Sequence, residues 1–152
     1  MIKEINFRDD RLVKELYELQ RASYRIEADL INFYEIPPLV ETIEELKNCG
    51  ETFIGYFVGD ELAGAISFTN KERKVTICRM VVHPNHLRKG IAQELLACVE
   101  INLSDYTVIN VSTGKDNTPA KNLYLKNGFH LVGDIEVVPG LFISNFEKRK
   151  DG

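Results

Sequence analysis

A buried strand, a short basic loop and an amphipathic helix follow one another in the middle of this chain. The strand ends in the apolar run Met80–Val82, and the loop contains Arg88 and Gly90. From Ile91 onward, apolar residues recur at helical spacing. Such a junction leaves backbone N–H groups unpaired at the positive end of the helix dipole. It therefore predicts a site for an anion such as a phosphate or pyrophosphate.

The small residues of this junction favour close approach of a ligand to the backbone. Gly90 has no Cβ, and Ala92 is the next small residue on the loop side. The loop is neither a Walker loop, because no Gly-Lys-Ser/Thr follows, nor a Gly-x-Gly-x-x-Gly dinucleotide turn. The alternative is an ordinary strand–turn–helix junction in which the glycine only makes the turn.

A second motif follows downstream, with matching residues at Asn117, Ala120, Tyr124, Gly128 and Phe129. In this order the two segments resemble the GNAT family of acetyl-CoA-dependent N-acetyltransferases. In that family V-x-P-x-x-R-G-x-G-x-G/A binds the CoA pyrophosphate, and N-x-x-A-x-x-x-Y-x-x-x-G-F lines the rest of the cofactor. The resemblance covers nearly the whole chain in its order of elements.

The resemblance implies acetyl-CoA as cosubstrate, with its pyrophosphate on the loop and its pantetheine arm along the strand. The residues so implied as cofactor-binding are Met80, Val81, Val82, Arg88, Lys89, Gly90, Ile91, Ala92, Asn117 and Tyr124. The chain departs from the family at Leu87, where Arg or Gln is usual three residues before the first glycine. Arg88 or His86 could compensate for the side-chain contact to the pyrophosphate that Leu87 cannot make.

Acetyl transfer to an amine needs a proton acceptor for the amine, donors for the oxyanion and a proton for the leaving thiolate. A phenol titrates near ~10 and stays protonated at neutral pH, and the resemblance places Tyr124 beside the thiolate. Core packing for Tyr124 and a turn or cap role for Asn117 are the alternatives. The sequence does not identify the general base, because residues 75–82 contain no carboxylate. Glu35 is the catalytic candidate, with Tyr34 or a water chain as substitutes.

Charge is segregated along the chain. Residues 27–51 carry seven acids and one base, whereas residues 71–90 carry six bases and one acid. This division predicts an anionic cofactor at the basic region and a cationic acceptor or partner at the acidic region. A solvated acidic helix face is the alternative for the acidic region.

Composition places the chain among ordinary globular proteins, as a single domain over residues 1–152. The net charge of −4 disfavours nucleic-acid binding. No signal peptide or membrane-spanning run is expected, so a cytoplasmic location is predicted. The three cysteines form neither a disulfide framework nor a zinc pattern, and Cys78 and Cys98 are expected in the core.

Periodicity predicts the order β, α, α, β, β, β, α, β, α, β, β. The expected fold class is α/β (α+β): a mixed, mostly antiparallel sheet with helices on both faces. The strand at residues 107–113 is expected to have a parallel neighbour, because a crossover helix precedes it. The first helix is expected to fray or kink before Glu27, Thr42 and Glu45 to form a capping box, and Thr118 to cap the last helix.

The leading hypothesis is an N-acetyltransferase that moves an acetyl group from acetyl-CoA to a small or peptidyl primary amine by direct attack. One alternative is a CoA-binding regulatory domain of the same fold that transfers nothing. The other is a protein-interaction module that uses the acidic region for a basic partner. A homodimer formed through the final strands is a further expectation.

Overall fold

Seven strands form one mixed sheet in the order β1-β2-β3-β4-β5-β7-β6. The computed structural model describes residues 1–32, 34 and 40–150. The strands are β1 (Ile2–Glu4), β2 (Thr52–Val58), β3 (Glu61–Lys71), β4 (Lys74–Val82), β5 (Val108–Gly114), β6 (His130–Val138) and β7 (Leu141–Arg149). The helices are α1 (Asp10–Ile31), α2 (Ile43–Lys47), α3 (Ile91–Asn102) and α4 (Thr118–Lys126).

The pairing between strands is antiparallel except between β4 and β5, which run parallel. The helix α3 makes the crossover between these two strands, as the sequence predicted. Helices cover both faces of the sheet. The core on one side contains α1 and α2, and the core on the other side contains α3 and α4. The predicted fold class is confirmed.

The helix starts follow local capping rules. The Asp9 carboxylate accepts a hydrogen bond from the Leu12 amide at the start of α1. At the start of α2, Thr42 and Glu45 form the predicted capping box, with bonds of 3.1 and 3.0 Å.

Three local predictions were wrong. The helix α1 continues through Glu27 to Ile31, because its apolar stripe stays in register with the core as far as Ala28. The cap of α4 is Asn117 rather than Thr118, because the Asn117 side chain accepts from the amide of Ala120. The prediction for Cys78 was also wrong, because Cys78 is exposed, whereas Cys98 is half-buried and packs against the core.

Strand β4 contains one extra residue relative to β3. Arg79 pairs with Ser67 and Ile77 pairs with Phe68, so Cys78 has no partner and forms a β-bulge. The bulge reverses the alternation of side chains along β4. Before it, Val75 and Ile77 pack on the α3 side, whereas after it Met80 and Val82 do so and Val81 packs on the α1 side.

The bulge coincides with the point where β4 and β5 separate. Their parallel pairing ends at Ile77 and Val111, although both strands continue. The C-terminal end of α1 packs closely on the end of β5, where a Cβ on Gly114 would lie 2.8 Å from the Ile31 side chain. Among the helices that the structure describes, none is both long and apolar enough to cross a membrane.

Candidate functional site

A cavity of about 810 Å³ opens where β4 and β5 separate. Its walls come from both strands, from α1, from the start of α3 and from α4. The cavity therefore joins the two sequence motifs, because the first motif supplies β4, the loop and α3, and the second supplies α4. The gap between the strands exposes backbone groups that a continuous sheet would have used.

Helix α1 spans this gap through two side chains one turn apart. The Val82 amide of β4 donates to the Ser23 hydroxyl at 3.3 Å. The Thr113 hydroxyl of β5 donates to the Glu27 carboxylate at 3.4 Å. Because residues i and i+4 lie on the same helix face, one face of α1 closes the side of the cavity.

The backbone of β4 presents alternate residues to the gap. The His83 amide donates to the Ala63 carbonyl of β3, so the antiparallel alternation directs the polar groups of Val81 to β3 and those of Met80 and Val82 to the gap. Met80 and Val82 line the cavity, whereas the side chain of Val81 is 1% exposed in the α1-side core. The structure thus brings two of the three predicted strand residues to the site.

The loop before α3 leaves backbone amides free at the start of the helix. Arg88 and Gly90 both have left-handed backbones, with φ of 64° and 77°. The first intrahelical hydrogen bond runs from the Glu94 amide to the Gly90 carbonyl, so the amides of Ile91 and Ala92 have no partner within the helix. Arg88, Gly90, Ile91 and Ala92 line the cavity. A Cβ on Gly90 would meet open space.

A buried histidine, His86, supports this loop. His86 is 9% exposed and lies between the Lys89 ammonium, 3.1 Å from Nδ1, and the Glu61 carboxylate, 3.2 Å from Nε2. An ammonium can only donate, so Nδ1 accepts and the Nε2–H donates to Glu61. Lys89, predicted to bind cofactor, is not at the cavity wall and holds His86 instead.

Helix α4 forms the opposite wall. Asn117 caps this helix and also donates to the Thr113 hydroxyl at 3.2 Å, so it combines the capping role with a place at the cavity. At the other end of α4, Asn127 and Gln93 exchange two side-chain hydrogen bonds, of 2.5 and 2.8 Å. This amide pair ties the end of α4 to the start of α3.

Two buried tyrosines lie in the cavity wall. Tyr124 is 3% exposed and packs against Phe129 and Phe146, with ring centroids 5.7 and 5.9 Å away, and Tyr24 of α1 is 7% exposed. Within the described chain every fully buried side-chain nitrogen or oxygen is hydrogen-bonded. Because neither phenol has a hydrogen bond there, both hydroxyls must reach the cavity surface.

The same two causes raise the pKa of both phenols. Burial is the larger cause, and the negative charge of Glu27 is the second. Tyr24 and Tyr124 therefore remain protonated well above neutral pH and can act as donors. The sequence analysis did not identify Tyr24 as a site residue, because helical spacing cannot show that this face of α1 ends at a cavity.

Glu27 is the one carboxylate among the described residues that line the cavity. It is half-buried, and no lysine, arginine or histidine of the described chain forms an ion pair with it. Glu35 lies outside the described residues. Tyr34 is exposed and donates to the Asp29 carboxylate at 2.7 Å, which raises its pKa.

Part of the predicted acidic region is neutralised inside the protein. The guanidinium of Arg79 is 9% exposed and uses all five of its N–H donors, on Glu41, Glu51 and Gln20. Burial lowers the pKa of Arg79, but the hydrogen bonds to the two glutamates outweigh this effect and raise it. Glu41 and Glu51 are therefore structural and do not face a partner.

The family model described as the acetyltransferase (GNAT) family matches residues 13–129. The chain belongs to the acetyltransferase (GNAT) family. The matched span runs from within α1 through the basic loop to the end of α4, so it contains the described residues that line the cavity except Ile143 of β7. The family resemblance carried by the two motifs is confirmed.

Known proteins share this family fold. The chain is 35% identical to UPF0157 protein YqkA of Bacillus subtilis over 99% of its own length, but spans only 45% of that relative. It resembles the PaiA N-acetyltransferase of Thermoplasma acidophilum in complex with coenzyme A, with a TM-score of 0.75, 21% identity and coverage of 99% and 98%. It also resembles the ribosomal-protein-S18-alanine N-acetyltransferase of Escherichia coli, with a TM-score of 0.79, 13% identity and coverage of 100% and 96%.

The donor set of this family member does not indicate a metal. In the described ranges, no group of three or more histidine, cysteine, aspartate or glutamate side chains is arranged to hold a metal ion. The polar groups at the described cavity wall include backbone amides, two phenols, one carboxylate, three cations and several hydroxyl and amide side chains. Such groups suit a phosphate-bearing ligand and proton transfer.

Proposed function

We propose that this chain transfers an acetyl group from acetyl-CoA to a primary amine by direct attack. The observation that carries the proposal is the single cavity that joins the free amides of α3 to the hydroxyl of Tyr124. An anion site and a proton donor in one cleft match the pyrophosphate and the thioester of acetyl-CoA. The chain's membership of the family supports the same reading.

The residues at the cavity fit acetyl-CoA. The amides of Ile91 and Ala92 and the guanidinium of Arg88 would hold the pyrophosphate. Lys126, at the end of α4, adds a cation from the opposite wall of the cavity, and it was not among the predicted residues. Leu87 is 48% exposed and has no side-chain donor, so the backbone would provide most of the phosphate contacts.

The pantetheine arm would extend along the gap between the strands. The free polar groups of Met80 and the carbonyl of Val82 face that gap, and Asn117 lies on its other side. The Val82 amide already donates to Ser23, so it is less available to a ligand than the groups of Met80.

Acetyl-CoA supplies a thioester whose acetyl group is transferred to the amine nitrogen. A C–N bond forms, the C–S bond breaks, and a protonated amine gives up two protons overall. Tyr124 would donate a proton to the departing sulfur and regain one from the nitrogen, directly or through water. Its raised pKa keeps the phenol protonated at neutral pH, so its O–H can face the sulfur as the C–S bond breaks.

Calorimetry with acetyl-CoA, followed by thiol release with a panel of primary amines, tests the proposal. We expect saturable binding with a Kd between about 1 μM and 1 mM, the usual range of enzyme KM values. We also expect amine-dependent release of CoA thiol and an acetylated product by mass spectrometry. A protein that fails to bind acetyl-CoA at 1 mM would refute the proposal.

A domain that binds CoA but transfers nothing is the second candidate. The specific observation in its favour is that β4 has no carboxylate facing the cavity. This candidate predicts acetyl-CoA binding with no amine-dependent thiol release in either the wild type or Tyr124→Phe. A protein-interaction module is less well supported, because Arg79 neutralises two acids of the region it would use.

A further inference from the structure

We infer that Glu27 binds the ammonium group of the acceptor and takes its first proton, so the acceptor is an amine that is protonated in solution. This inference rests on the proposed acetyltransferase function and assigns the proton acceptor that the sequence did not reveal. Glu27 lies on α1, outside both sequence motifs, and reaches the cavity across the gap between β4 and β5.

The first argument is that Glu27 lacks a cation. A half-buried carboxylate is costly unless it is paired or well hydrogen-bonded. The single hydrogen bond that the structure gives Glu27 comes from the Thr113 hydroxyl, at a long 3.4 Å. The other charged groups at the described cavity wall are all cations, so Glu27 provides the one negative point there. An ammonium group would complete its pairing.

The second argument is that no neighbour among the described residues neutralises Glu27. Arg79, the buried arginine of β4, has committed all five donors to other side chains. The remaining neighbours are the phenols of Tyr24 and Tyr124, which stay neutral. The negative charge of Glu27 therefore remains available to a ligand.

The third argument is that Glu27 and Tyr124 divide the two protons of the reaction. The carboxylate of Glu27 takes one proton as the ammonium becomes a neutral amine with a free lone pair. The second proton leaves the nitrogen after the C–N bond has formed, and it balances the one that Tyr124 gives to the sulfur. The Glu27 carboxylic acid then releases its proton to water.

The test compares Glu27→Gln with two matched variants. Glu18→Gln makes the same change at an exposed position of α1, and Glu35→Gln tests the carboxylate favoured by the sequence. Each protein is titrated with acetyl-CoA, and then, loaded with CoA, with spermidine as the acceptor probe. Thiol release is measured with spermidine, butylamine and a lysine peptide.

We expect Glu27→Gln to bind acetyl-CoA like the wild type, to bind spermidine at least tenfold more weakly and to lose about 100-fold or more in kcat/KM. Glu18→Gln should match the wild type in all three measurements. Glu27→Asp, which keeps the charge, should recover part of the spermidine affinity and exclude a folding defect as the cause.

The outcomes separate the two proposals. If the wild type transfers acetyl groups and Glu27→Gln stays within twofold of it, or if Glu35→Gln alone shows the loss, the assignment of Glu27 is overturned while the acetyltransferase function stands. If the wild type binds no acetyl-CoA, or acetylates none of the three amines, both are overturned.

Discussion

The Arg79 guanidinium and the Glu41 carboxylate, 38 positions apart in the sequence, meet through two hydrogen bonds of 2.6 and 2.9 Å. Glu51 engages the other edge of the same guanidinium and also accepts from the Ser67 hydroxyl at 2.6 Å. This cluster fixes the chain before α2 and the chain before β2 to the centre of β4.

Replacing Arg79 with methionine should destabilise the fold by about 3–5 kcal/mol, because two largely buried carboxylates would lose their partner. Urea unfolding measures this loss. Arg25→Met removes an exposed ion pair with Asp29 and should cost less than about 1 kcal/mol. Equal losses in the two variants would contradict a special role for the buried cluster.

Replacing Gly90 with valine should weaken acetyl-CoA binding at least tenfold, because the new side chain would enter the open space at the start of α3. Gly59→Val is the matched control. Both glycines have a left-handed backbone and open space at the Cβ position, so both variants should lose roughly 1–2 kcal/mol or more of stability. Calorimetry should show weaker binding for the Gly90 variant alone.

Removing the hydroxyl of Tyr124 should lower kcat about 100-fold while the KM for acetyl-CoA changes little, because a proton donor acts in the transition state. Tyr24→Phe removes an equally buried hydroxyl from the opposite wall and should cost less than tenfold. Steady-state thiol release provides both constants. If Tyr24→Phe shows the larger loss in kcat, the two phenols have exchanged the roles assigned to them.

Stability should fall at alkaline pH more steeply in the wild type than in a variant with phenylalanine at both buried tyrosines. The pKa of Tyr24 and of Tyr124 is raised in the folded protein, so their contribution is complete below the unfolded value of ~10. Above that value the unfolded chain loses these protons first, and stability declines as pH rises. Urea unfolding between pH 8 and 11 compares the slopes; parallel slopes would contradict the prediction.

Acetyl-CoA should protect Cys78 from alkylation by iodoacetamide. Cys78 lines the cavity, whereas Cys49 and Cys98 do not. Although the residue is exposed, partial burial of its thiol raises the pKa of Cys78, so the reaction is best followed at pH 8.5 or above. Peptide mass spectrometry reports each cysteine separately, and Cys98 serves as the internal control. Equal protection of Cys78 and Cys98 would indicate general stabilisation rather than cover by the ligand.

Most of the fold could be predicted from the sequence, because its signals are local. Apolar periodicity and turn residues gave the order of the elements, and the crossover helix implied the parallel pairing of β4 with β5. The capping box at Thr42 is a local signal of the same kind. The bulge at Cys78 was not predicted, because it depends on the register of a partner strand.

The site was predictable only where a motif carries it. The loop around Gly90 and the helix containing Tyr124 are family motifs, and the structure places both at one cavity. Glu27 and Tyr24 were not identified as site residues, because their role depends on which face of α1 lies over the gap. The burial of Arg79 was missed for a similar reason, since its partners are distant in sequence.

The unpaired residue Cys78 determines on which face of the sheet each later side chain of β4 lies. If β4 instead paired regularly with β3 through Cys78, Arg79 would turn toward α3, and the peptide groups now free at Met80 would bond to β3. One extra residue in β4 thus accounts for two features. The guanidinium of Arg79 is buried, and backbone groups of the strand are left unpaired at the cavity. Because Ser67 and Phe68 pair with Arg79 and Ile77, deleting Cys78 would remove the bulge and leave the side chains beyond it on their present faces of the sheet.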